Sequence, residues 1–134
     1  MLKQVSVFTE NSRGSLQHVT SLLTEKGINI WGSVTNDSAE FGIIRMVVSD
    51  PDAAYQALSE KGYMCRRTNV LGIEMKDEVG SLDRLLQSMS ESNININYMY
   101  LSFNRNSGMP VMVIHTEEIR PVEACLQAKG FELL

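Results

Sequence analysis

Val5, Val7 and Thr9 alternate with Gln4, Ser6 and Phe8 at the head of the chain, the period of two expected of a strand with one buried face. A polar loop, Glu10 to Arg13, interrupts the alternation. From Ser15 the period lengthens: Leu16, Val19, Leu22 and Leu23 fall on one helical face, and Gly27 stands where a left-handed C-terminal cap belongs. Ile28 to Val34 is rich in β-branched and aromatic residues. Asn36-Asp37-Ser38 has turn chemistry, and Phe41 to Val48 reads as the return strand of an antiparallel hairpin. Asp50-Pro51 then joins an N-cap to proline at the first helical position. Ala54, Ala57 and Leu58 give that helix an apolar face, Gly62 closes it, and Tyr63 to Arg67 forms a fourth short strand. The predicted order is βαββαβ.

The same order recurs. Sliding the chain by 66 residues lays Gly14-Ser15-Leu16 on Gly80-Ser81-Leu82, Ile28-Asn29-Ile30 on Ile94-Asn95-Ile96 and Met46-Val47 on Met112-Val113. The second copy reads as a strand at Val70 to Met75 and a helix from Ser81 with Leu82, Leu85, Leu86 and Met89 on one face. Strands at Ile94 to Phe103 and Met109 to His115 follow, then a helix at Pro121 to Ala128 and a strand at Phe131 to Leu134. Two copies of this length predict two small domains, 1–67 and 68–134, each near the size at which a lone core is marginal. No Gly/Ser-rich linker separates them, which favours a fixed placement over free tethering. Two βαβ crossovers on one antiparallel sheet, with both helices on one face, make each copy an α+β unit of the ferredoxin-like, split-βαβ kind. The likeness of the copies predicts a pseudo-two-fold pairing. The strands around Tyr98-Met99-Tyr100-Leu101 and Val111-Met112-Val113-Ile114 are apolar on both faces, so the second face is expected to be covered as well. The other repeat or another chain would supply the cover, and a homodimer is the expected assembly.

Composition narrows the function classes. The 134 residues are 43% hydrophobic and 21% charged, inside the globular range. The net charge of −4 divides into −1 up to Arg66 and −3 beyond it, and neither half carries a Lys/Arg stripe. Nucleic-acid and anionic-membrane partners thereby lose their electrostatic attraction. No window approaches the roughly 18 to 20 apolar residues of a membrane span, and the first residues lack the apolar region of a signal peptide; a cytoplasmic location is expected. Cys65 and Cys125 occupy non-equivalent places in the two copies, which favours free thiols over a disulfide framework. Neither His18 nor His115 has a Cys or His at metal-ligand spacing. No catalytic constellation is found, so the chain reads as neither an enzyme nor the holder of a cofactor.

The recurring loop carries the chemistry. Gly14 and Gly80 stand at the same strand-to-helix junction, each followed by Ser and Leu. A helix start offers unpaired N–H groups and the positive end of the dipole to a carboxylate or phosphate, and glycine lets a ligand approach the backbone. A plain tight turn with a serine cap explains one such Gly-Ser as well; its repetition together with Asn29 and Asn95 shifts the weight. A side-chain amide offers donor and acceptor to the ammonium and carboxylate of an amino acid.

The segments Glu10-Asn11-Ser12-Arg13-Gly14-Ser15-Leu16 with Gly27-Ile28-Asn29-Ile30, and Lys76-Asp77-Glu78-Val79-Gly80-Ser81-Leu82 with Asn93-Ile94-Asn95-Ile96, resemble two ACT domains in tandem. The resemblance extends over essentially the whole chain and implies a regulatory module that binds a free amino acid between paired domains and reports its occupancy to a partner enzyme or regulator. Carried over by position, it implies ligand contacts from the loop residues Asn11, Ser12, Arg13, Gly14, Ser15 and Leu16, with Asn29 and Ile30 reaching from a neighbouring domain. In the second copy the matching residues are Asp77, Glu78, Val79, Gly80, Ser81 and Leu82, with Asn95 and Ile96. The family's usual proline before the glycine is Arg13 in one copy and Val79 in the other, which frees both loops. Arg13 either pairs with a ligand carboxylate or stands solvated. The alternative function is a ligand-free assembly module that regulates a partner enzyme.

Overall fold

The computed structural model describes residues 1–10, 12–37 and 41–134, which fall into two units. The first is Lys3–Thr68. Its alternating head becomes β1 (Leu2–Glu10), and α1 (Ser15–Glu25), β2 (Ile30–Asp37), β3 (Phe41–Val48) and α2 (Pro51–Glu60) follow, with the opening of β4 (Met64–Glu74). The strand order is β2-β3-β1-β4. β1 and β3 run antiparallel, with Val5 opposite Met46 and Val7 opposite Ile44. These four side chains form one buried core with Val19 and Leu23 of α1 and Ala54 and Leu58 of α2, so both helices cover the same face. The start of α2 is local chemistry: the Asp50 carboxylate accepts the Ala53 N–H at 3.1 Å and Pro51 occupies the first turn.

The second unit is Asn69–Leu134 together with Met1–Leu2. The rest of β4 is followed by α3 (Ser81–Glu91), β5 (Tyr98–Phe103), β6 (Pro110–His115), α4 (Ile119–Ala128) and β7 (Glu132–Leu133), in the order β7-β4-β6-β5. Leu71 lies opposite Ile114 and Ile73 opposite Met112. Leu85 and Met89 of α3 and Val122 and Leu126 of α4 close over them. Each unit is thus a ferredoxin-like α+β fold with an antiparallel sheet.

Several elements differ from the sequence expectation, each for a local reason. β2 starts at Ile30, not Ile28, because the Ile28 N–H returns to Leu23 O at the end of α1 and Asn29 exchanges bonds with Ser49. β5 starts at Tyr98, not Ile94: the Ile94 N–H closes on Met89 O and Asn93 takes a left-handed φ of 55°. Ile94 and Ile96 pack on the core from a loop. The two short strands expected at Tyr63 to Arg67 and Val70 to Met75 are one strand, β4; no glycine or proline lies between them to break it. Leu16, expected on the buried face of α1, lies in the first turn of that helix and is 47% exposed. In the second unit Tyr100, Ser102, Val111 and Val113, on the face away from the helices, are buried as well. Leu2 folds onto Gly72 so closely that a Cβ there would lie 2.6 Å from its Cδ1.

Candidate functional site

The loop between β1 and α1 is shaped by Gly14, whose φ of 82° is left-handed and strained for any residue with a Cβ. That turn lets the Ser15 N–H reach Ser12 O at 3.2 Å and the His18 N–H reach Gly14 O at 3.0 Å. The hydroxyls of Ser12 and Ser15 share a hydrogen bond at 2.6 Å. α1 has no side-chain cap bond, which leaves first-turn N–H groups for another acceptor.

This loop borders a cleft of about 700 Å³, within the size range of small-molecule sites. Ser12, Arg13, Gly14, Ser15 and His18 line it from the loop and the first turn of α1. Phe8, Thr9 and Glu10 line it from the end of β1, and Gly62, Tyr63 and Met64 from the turn between α2 and β4. Among the described residues, the Arg13 guanidinium and the Glu10 carboxylate make no ion pair or side-chain hydrogen bond. The site therefore brings together a free cation, a free anion, hydroxyls and an apolar segment. Leu16 and Ile30 are not among its lining residues, and Asn11 lies outside the described residues.

Its counterpart is built differently. Gly80 repeats the left-handed turn at φ 90°, and α3 likewise lacks a side-chain cap on that residue. Here, however, Arg84 reaches back over the turn, donating to Glu78 Oε1 at 3.2 Å and to Ser81 Oγ at 3.3 Å. Arg84 is the 66-residue equivalent of His18. Ser81 is buried, Leu82 packs on the core, and Asp77 and Val79 face solvent. The loop is not among the residues that line the cleft beside Gly14 or those beside Asn95 and Gln17.

Asn29 is exposed, its backbone N–H bound to Ser49 Oγ at 2.9 Å. Asn95 lines a second cleft of about 370 Å³ with Asn93, Thr116, Glu117 and Glu118, between the end of α3 and the start of α4, while Ile96 turns into the core. Thus Ser12 to Ser15 line one cleft, and neither Asn29 nor Asn95 is among its lining residues. Sequence reasoning missed Phe8, Thr9, Glu10, His18, Gly62, Tyr63 and Met64. A signal for the last three existed: the order βαββαβ sets strand four beside strand one, so a turn closed by Gly62 must face the end of β1.

The sequence matches the ACT domain pair family over residues 1–129. A search of curated proteins finds no match. Among solved structures, a protein from Bacteroides thetaiotaomicron is 35% identical with a TM-score of 0.90, over 99% of this chain and 91% of that one. The ligand-free regulatory subunit of aspartate kinase from Thermus thermophilus is 18% identical, TM-score 0.65, over 95% and 89%. The same subunit from Thermus flavus is 20% identical, TM-score 0.61, over 94% and 88%. The two Thermus proteins share the fold.

Proposed function

The chain belongs to the ACT domain pair family, and on that premise we propose that it is a regulatory protein that senses a free amino acid in the cleft beside Gly14. One observation carries the reading: the loop singled out by its repetition, Ser12 to Ser15, borders the roomiest of the three clefts described. Arg13 is placed to take the ligand carboxylate in a charge-assisted hydrogen bond, helped by the first-turn N–H groups of α1. Glu10 is the matching partner for the ammonium. Occupancy would be read by a partner enzyme, as the association of this fold with regulatory subunits of aspartate kinase suggests. Thermal and urea unfolding with each of the twenty amino acids tests it. A ligand at about 100 times its Kd should add about 2.7 kcal/mol of stability, and Arg13→Ala should abolish the gain. A null result with all twenty removes the sensing role.

A second reading, an assembly module acting through a homodimer, has its own support: Leu101 and Phe103, 49% and 47% exposed, lie on the edge strand β5. Sedimentation at tens of micromolar decides it, since a strict 15.0 kDa monomer leaves no homodimer.

A further inference from the structure

The two repeats treat the same turn in opposite ways, and the cleft beside the first is not uniformly polar. Resting on the sensing reading above, we infer that the chain takes one ligand per molecule, in the first repeat, and that this ligand is an α-amino acid with a bulky apolar side chain.

The stoichiometry follows from position 84. Where His18 borders the open cleft, Arg84 bridges Glu78 and Ser81 across the second turn. Its guanidinium stands where a ligand's cationic group would meet Glu78, and it donates to the Ser81 hydroxyl, the counterpart of the Ser15 hydroxyl that meets Ser12 in the first copy. Val79, at the position of Arg13, has no charge to offer a carboxylate. The second turn therefore keeps the shape of the first and lacks both of its charged contacts.

The side-chain class follows from the rest of the lining. Glu10 and Arg13 carry opposite charges and neither is paired among the described residues, a complement to the two charges every free amino acid presents. Of the remaining large side chains, Phe8, Tyr63 and Met64 carry no charge and lie together on the β1 and β4 side of the cleft, while His18 lines it from α1. Met64 is 72% exposed at the cleft, an unbranched thioether with nothing packed against most of it. Such a side chain adapts to irregular apolar shapes, and covering it removes apolar surface from water. A polar ligand side chain laid there would lose its own hydration without a charged or amide partner.

Titration calorimetry on the full chain tests this with leucine, asparagine and alanine. Leucine and asparagine have the same branched outline, so their ratio reads polarity rather than size; leucine should bind at least tenfold tighter. Each buried methylene contributes about fourfold, so alanine should bind roughly fiftyfold more weakly than leucine. The fitted stoichiometry should be one. Met64→Gln keeps length and removes the apolar end; leucine affinity should fall several-fold while the melting temperature holds, because the residue is mostly solvated. Asparagine binding as tightly as leucine, two sites per chain, or an unchanged Met64→Gln variant each overturns the inference while leaving amino-acid sensing intact. Failure of all twenty amino acids to bind would instead remove the sensing reading beneath it.

Discussion

Gly14 and Gly80 share a backbone but differ in what surrounds them, which makes them a controlled pair. Both have left-handed φ, and a Cβ at either position would meet no atom within 4 Å. Alanine there costs only the backbone strain of an L residue in that region, less the entropy it removes from the unfolded chain, a net of about 1 kcal/mol. Urea unfolding should report equal losses for Gly14→Ala and Gly80→Ala, and a clear inequality would show that the added methyl meets a neighbour at one turn and not at the other. A second residue-scale case is Asp52. The Arg67 guanidinium donates to its carboxylate at 2.7 Å and holds it below the ordinary carboxylate range. Because the folded value is depressed, the stabilising effect is complete above the unfolded value and disappears as pH falls through the folded one. The stability difference between the native chain and Asp52→Asn should therefore be constant at neutral pH and vanish in acid. Its persistence in acid would mean that the hydrogen bond is not the cause.

At the scale of elements, the helices owe their place to a few buried side chains. Leu58 of α2 and Leu126 of α4 are each fully buried, one in each core. Truncation to alanine removes the transfer free energy and leaves a cavity, a loss of about 2–5 kcal/mol in either case. Against a typical domain stability of about 5–15 kcal/mol, one such change endangers its own unit, and hydrogen exchange should show protection lost first in the amides of that unit. Leu16 makes the contrast: on the same helical periodicity as Val19 and Leu23 but 47% exposed, it should tolerate alanine at well under 1 kcal/mol.

Taken whole, the chain shows which features sequence periodicity can carry. The helices, the hairpins and the duplication were legible because each rests on local spacing: Val19 with Leu23, Asp50 with Pro51, Gly14 with Gly80. The starts of β2 and β5 were not, since Ile28 and Ile94 look like strand residues and are claimed by the helix ends before them. The charged half of the cleft was within reach at Arg13, but its apolar half, Phe8 with Tyr63 and Met64, is assembled by strand pairing between segments more than fifty residues apart, which no local pattern encodes. The same pairing gives β4 its significance. Successive residues of a strand point to opposite sides, so Met64–Glu74 behaves as a counting device. One glycine inserted between Leu71 and Gly72 reverses the parity of Leu71 relative to Ile73, turning one of the two away from the core they share. Two inserted glycines restore it. The melting temperature should fall further with the shorter insertion than with the longer one, an ordering that a mere penalty for added length would invert.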